Sequence, residues 1–97
     1  MNYTPTDGLP WEIIDTGRDA YVLLIDGGLY GARRDREYNG GPARYLWSGF
    51  TVTEPGWIVT GSLGSFHHPS GVPDGSIAEY LYNADLARRE LAGRGEQ

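Results

Sequence analysis

The sequence predicts an α+β fold, in which a small antiparallel sheet or open β-barrel of about five strands carries one C-terminal helix packed on it. Two observations support this prediction. Short apolar runs separated by Gly, Pro, Asn and Asp fill the first two thirds of the chain, as in a meander with tight turns. Apolar residues with helical spacing begin only after residue 75. A chain of 97 residues has room for one hydrophobic core, so we expect a single domain over 1–97.

The predicted β meander covers residues 11–66 and follows an extended arm, residues 1–10, that is rich in Thr, Pro, Asp and Gly. Its first three strands are expected at Trp11 to Asp15, Ala20 to Ile25 and Leu29 to Arg34. The second of these is apolar on both faces, which is typical of a central strand. Asp26-Gly27-Gly28 then predicts a tight hairpin, because a type I′ turn needs positive φ at both central residues.

Pro55-Gly56 predicts a second hairpin, because Pro presets one turn dihedral and Gly supplies positive φ at the next position. A two-residue loop there sets three cross-strand pairs: Val52 with Val59, Phe50 with Gly61, and Ser48 with Leu63. A longer loop would shift this register by one residue. The expected core face is apolar: Leu46, Phe50, Val52, Val59 and Leu63. The expected outer face is half-polar: Trp47, Thr51, Thr53, Ile58, Thr60 and Ser62.

The C-terminal part of the chain predicts a loop over 67–75 and a helix over 76–93. Ser76 and Glu79 match a capping box at the start of the helix, and Gly93 is expected just after its last residue. One helical stripe should pack on the sheet: Ile77, Tyr80, Leu81, Ala84 and Leu91.

Composition excludes several classes of protein. The chain has no cysteine, so neither a disulfide nor a thiolate metal site is expected. No apolar run is long enough to span a membrane, and the first residues lack the pattern of a signal peptide, so we expect synthesis in the cytoplasm. The net charge of −5 argues against nucleic-acid binding. All basic residues are arginine, which indicates a GC-rich genome such as that of a high-GC bacterium or one of its phages.

Two polar clusters are candidate ligand sites. His67 and His68 are adjacent, but no third ligand or catalytic partner is marked by spacing, so a plain polar loop is favoured over a metal site. Four arginines flank the glycine-rich segment 39–42 and are possible anion contacts: Arg33, Arg34, Arg36 and Arg44. Because acidic residues lie among them, a solvated, salt-bridged hairpin end is favoured over an anion site.

Tyr82 and Leu86 lie one turn apart and off the helix stripe that faces the sheet, so they are candidates for an exposed interface. Three further residues are expected to add to it: Trp47, Ile58 and Trp11. Tyrosine and tryptophan are enriched in protein interfaces because they give large contact areas at low entropic cost. The sequence therefore favours an interaction surface over chance exposure.

The function predicted from these patterns is a non-enzymatic structural or protein-interaction module that assembles into a homo-oligomer or a larger complex. The more specific prediction is a phage virion protein or a phage accessory protein. The alternative is a small-ligand protein that binds or sequesters an anion or nucleotide. Enzymatic activity ranks third, because no convergent catalytic set is present, and no catalytic residue, metal or cofactor is predicted.

Overall fold

A computed structural model describes residues 9–35 and 45–95. The described chain consists of five strands and one helix: β1 (Trp11–Thr16), β2 (Ala20–Ile25), β3 (Gly28–Arg34), β4 (Tyr45–Thr53), β5 (Ile58–His68) and α1 (Gly75–Gly95). The strands form one antiparallel sheet in the order β1-β2-β3-β4-β5. This confirms the predicted α+β fold, with an open sheet rather than a closed barrel. Of the predicted arm, residues 1–8 lie outside the described residues, and Leu9 is buried in the core.

The hairpin between β2 and β3 has the predicted turn. Ile25 pairs with Gly28, which leaves Asp26 and Gly27 as the two turn residues. Their φ angles are 49° and 85°, as a type I′ turn requires. Most of β2 is buried, in agreement with its prediction as a central strand.

The hydrophobic core fills the space between α1 and one face of the sheet. Its largest fully buried side chains are apolar or aromatic: Leu23, Ile25, Tyr30, Trp47, Ile77 and Leu81. Trp47 was expected on the outer face, and that expectation is wrong. Its ring lies 5.8 Å from the ring of Tyr21, centroid to centroid, on the face that α1 covers. Gly49 lies on the same face, and without a side chain it leaves room for Leu81 of the helix.

The hairpin between β4 and β5 follows the predicted register only near its turn. Val52 pairs with Val59 as expected, but Phe50 pairs with Ser62 and Ser48 with Ser65. Two bulges cause the difference, because Thr60 and Leu63 of β5 have no directly opposite residue on β4. Each bulge shifts the pairing of β5 with β4 by one residue.

The predicted core face of this hairpin is therefore correct only in part. Leu63 is buried in the core, whereas Phe50, Val52 and Val59 line the opposite face of the sheet. The alternation in β4 is regular, but both of its faces carry large apolar residues. The pattern alone could not tell which face the helix would cover.

The helix begins at Gly75, and Asp74 rather than Ser76 is its N-cap. The Oδ1 atom of Asp74 accepts hydrogen bonds from the backbone N–H groups of Ser76 (2.9 Å) and Ile77 (3.2 Å). The predicted capping box is thus wrong: Glu79 is buried, and no donor in the described part of the chain reaches its Oε2 atom.

The predicted boundaries and stripe of the helix also need correction. Strand β5 continues through His68, so the connection is shorter than the predicted loop over 67–75, and α1 extends to Gly95. Ile77 and Leu81 are buried as expected, but Leu91 is 65% exposed. Asp85 occupies the next core position instead, for the reason given below.

Gly49→Ala is expected to destabilise the fold by about 1–3 kcal/mol, because a methyl group there would overlap the side chain of Leu81. Urea unfolding measures the change. Gly93→Ala is the control, since a Cβ at that helical position meets nothing within 4 Å and should be neutral or stabilising. A Gly49→Ala protein as stable as the wild type would contradict the packing described here.

Candidate functional site

The face of the sheet turned away from α1 carries an apolar cleft of about 440 Å³. All five strands and the turn before β5 contribute to its lining, and the principal residues are Val22, Gly31, Phe50, Val52, Trp57 and Val59. Gly31 forms its floor, because a Cβ there would meet the side chains of Val52 at 3.2 Å and Phe50 at 3.6 Å. Asp15 and Arg33 add opposite charges to the lining. We call this surface the open face.

Trp57 is the unusual member of the open face. It follows Glu54-Pro55-Gly56 in a four-residue turn, since Thr53 and Ile58 are the last residues to pair. Its φ is +53°, a left-handed conformation that is rare for a bulky side chain and costs about 1–3 kcal/mol. Trp57 was not predicted as a site residue, because the Pro-Gly pair predicted a two-residue loop. The sequence signal that could have identified Trp57 was its position directly after this Pro-Gly pair.

The two edges of the sheet are both interrupted. Edge strand β1 has a bulge at Ile14, which lies between the paired residues Ile13 and Asp15. Edge strand β5 has the two bulges at Thr60 and Leu63. Bulges twist an edge and remove regularly spaced hydrogen-bonding groups, so they disfavour the addition of another strand. The open face is thus better suited to contact than either edge.

A second, polar cleft of about 520 Å³ lies where the β1–β2 turn meets the end of β3 and β4. We call it the arginine cleft, and it is lined by Arg18, Asp19, Ala20, Arg33, Arg34, Asp35 and Ser48. Two of the four arginines considered as possible anion contacts, Arg33 and Arg34, are in this lining. Arg36 and Arg44 lie outside the described residues. Arg18 was not predicted, because it lies 15 residues before Arg33 in the sequence and comes near it only through the pairing of β2 with β3.

The arginines of this cleft differ in their contacts. Arg34 Nη2 donates to Asp19 Oδ1 (2.6 Å), and its Nη1 donates to the carbonyl oxygen of Gly71 (2.8 Å). Its guanidinium also lies 5.1 Å from the ring centroid of Tyr45. Arg34 therefore holds the β1–β2 turn and the loop before α1 in place, as in the predicted salt-bridged hairpin end.

The five predicted interface residues do not form one exposed surface. Trp47 is fully buried, and Trp11 packs against the core. Tyr82 is half-buried, and its hydroxyl donates to Asp26 Oδ2 (3.1 Å). Ile58 and Leu86 are exposed. The helix part of the predicted patch is thus reduced to Leu86, because the phenol of Tyr82 already binds the β2–β3 turn.

His67 and His68 lie at the end of β5, not in a loop, and adjacent strand residues point to opposite faces. His68 Nδ1 accepts a hydrogen bond from the backbone N–H of Ser70 (3.0 Å), and its Nε2 lies 3.4 Å from Asp74 Oδ1. These contacts hold the connection that leads into α1. Within residues 9–35 and 45–95, no three His, Asp or Glu side chains form a metal-ligand group.

The buried carboxylate of Asp85 anchors α1 to the sheet. Tyr30 of β3 donates its hydroxyl to Asp85 Oδ2 (2.8 Å), while Arg88 donates to Oδ1 (3.0 Å) and Arg89 to Oδ2 (2.6 Å). Burial opposes the charge, but these hydrogen bonds outweigh it and hold the pKa of Asp85 below its usual value. Burial and the bond to Asp85 raise the pKa of the Tyr30 phenol far above its usual value. The cluster is fully paired, which fits an anchor better than a proton-transfer site.

Comparison with known proteins gives no match: neither a protein-family model, nor a curated protein, nor a solved structure resembles this chain significantly. Among the described residues, the helix is too polar to cross a lipid bilayer.

Acid is expected to weaken the anchor. Since the pKa of Asp85 is lower in the folded chain than the ordinary value of 3.8, its contribution to stability is present above that pH and is lost as the pH falls through the folded-state pKa. Asp85→Asn should lower the free energy of unfolding at neutral pH by about 2–3 kcal/mol. It should also make that free energy less sensitive to pH in the acid range.

Urea unfolding across the acid range measures this effect. Glu12→Gln is the control, because it removes an exposed carboxylate on an edge strand and should keep the pH dependence of the wild type. If both variants lost the same slope, the acid sensitivity would not come from Asp85.

Proposed function

We propose that this chain is a non-enzymatic protein-interaction module that assembles with a second copy of itself through the open face. The observation that carries the proposal is the apolar cleft on the uncovered side of the sheet, with a tryptophan held over it in a costly backbone conformation. Val59 of the same surface is 54% exposed. Exposed apolar patches that include an aromatic anchor are typical of protein interfaces.

A second copy is the favoured occupant because of geometry and charge. Apolar sheet faces pack well on one another, at a separation of about 10 Å. Across a two-fold axis, a residue that contacts a second residue of the other copy is matched by the reverse contact, so a self-complementary surface needs both charges. The cleft has them in Asp15 and Arg33, and the bulged edges disfavour assembly by strand addition.

The sequence also leads to two finer proposals. Assembly through Tyr82 and Leu86 is one, and Leu86 is exposed as it requires. Incorporation into a phage virion is the other, and it is supported by the lysine-free composition alone. The alternative function, anion binding, is supported by the arginine cleft.

Val59→Arg is expected to abolish assembly without unfolding the chain, because it places a charge in the proposed contact at an exposed position. Ile58→Arg is a matched control: Ile58 precedes Val59 in β5, is 59% exposed and points to the other face of the sheet. The measurement is the solution mass by light scattering over a hundredfold dilution. We expect an oligomer for the wild type and Ile58→Arg, and a monomer for Val59→Arg.

Leu86→Arg in the same assay tests the helix patch. Loss of assembly in Leu86→Arg with full assembly in Val59→Arg would overturn the open face and favour the helix. A wild-type chain that is monomeric at every concentration would overturn self-assembly itself.

Trp57→Gly tests whether Trp57 anchors association. Glycine adopts positive φ without strain, and this relief offsets part of the packing lost with the mostly buried indole, so the free energy of unfolding should fall by only about 1–3 kcal/mol and the chain should stay folded. Association should weaken at least about tenfold, since a tryptophan anchor is removed. Sedimentation equilibrium measures association. Trp11→Phe should retain it, because Trp11 packs against the core rather than on the open face; equal weakening in both variants would contradict the role of Trp57.

A further inference from the structure

The arginine cleft contains three donor side chains that no protein group uses. Arg18 and Arg33 are exposed, and neither guanidinium donates a hydrogen bond or forms an ion pair in the described part of the chain. The hydroxyl of half-buried Ser48 has no partner there either. Arg18 comes from the β1–β2 turn, Arg33 from β3 and Ser48 from β4. The sheet thus brings three unused donors to one concave surface.

The acidic residues of the cleft are already engaged. Asp19 Oδ1 lies 2.6 Å from Arg34 Nη2, and Asp35 also has a partner of its own. Neither carboxylate forms an ion pair with Arg18 or Arg33 within the described residues. The guanidiniums of Arg18 and Arg33 are thus both available to a ligand at one cleft.

We propose that the arginine cleft binds a small oxyanion, namely a phosphate or carboxylate compound with at least two anionic groups. Each guanidinium offers a pair of N–H donors that fits one carboxylate or phosphate group. Arg18 and Arg33 together therefore suit a ligand with two such groups. Ser48 supplies a further hydroxyl donor. Arg34 keeps the walls in place through Asp19 and Gly71 and is not itself a contact of the ligand. Arg33 also lines the open face, whereas Arg18 lines only the arginine cleft, so Arg18 is the residue that separates anion binding from assembly.

Isothermal titration calorimetry with inorganic pyrophosphate, and separately with malonate, tests the site. The two probes share the paired oxyanions and distinguish a phosphate ligand from a carboxylate ligand. We expect at least one to bind, with an affinity that falls as salt is raised. Arg18→Gln and Arg33→Gln should each weaken binding about tenfold or more, and the melting temperature should be unchanged because both side chains are unpaired.

Thr53→Asp is the control for charge. It lowers the net charge by one, as each arginine variant does, but lies about 17 Å from Ser48 along β4. It should bind the probe like the wild type. Repeating the titration with Trp57→Gly shows whether binding is independent of association.

Three outcomes would overturn the proposal. The first is that neither probe binds at millimolar concentration. The second is that binding is unchanged in Arg18→Gln and Arg33→Gln, which would place it elsewhere. The third is equal weakening by Thr53→Asp, which would show an effect of net charge rather than of a built site.

Discussion

One helix can cover only one face of this sheet, and the rest of the structure follows from that limit. Strands lie about 4.8 Å apart, so five of them make a sheet about 20 Å wide, whereas a helix with its side chains is about 10–12 Å across. The core is consequently concentrated under α1, where Trp47 and Leu81 are fully buried. Arg88 extends the cover toward β5, because its guanidinium lies within 3.4 Å of where a Cβ on Gly61 would be.

The same limit explains why a charged residue anchors the helix. At Asp85 the helix still faces the sheet, but the nearest group of β3 is the hydroxyl of Tyr30. A leucine at this position would leave that hydroxyl buried without an acceptor, which costs about 1–3 kcal/mol. The carboxylate satisfies Tyr30 and is itself neutralised by Arg88 and Arg89 one turn further along. Because hydrogen bonds are directional, the anchor fixes the position of α1 along the sheet more closely than apolar contact alone would.

Local signals in the sequence were sufficient to predict the strands and the helix, but not which face of the sheet the helix would bury. The type I′ turn at Asp26 and Gly27 and the helix after residue 75 depend on a few adjacent residues, and both were predicted. The burial of Trp47 could not be predicted, because β4 is apolar on both faces and the choice depends on where Leu81 of the distant helix fits. The bulges of β5 were equally hidden, since Thr60 and Leu63 resemble ordinary strand residues.

In the candidate sites, too, the sequence indicated single residues but not which of them would lie together. Arg33 and Arg34 were predicted to act together, yet neighbours in a strand point to opposite faces. Arg34 consequently binds Asp19 and Gly71, while Arg33 is left for a ligand. Its partner in the arginine cleft, Arg18, is brought there by the antiparallel pairing of β2 with β3. A site whose residues come from different strands can be recognised only when the register of the strands is known.

The energetics of Trp57 connect the open face with function. Its left-handed backbone costs about 1–3 kcal/mol, and the folded chain covers most, but not all, of the indole. The packing of the covered part within the chain offsets this strain. A second surface over the uncovered part would add up to about 2 kcal/mol. That part of the ring lies on the open face, and this is why we assign it to association.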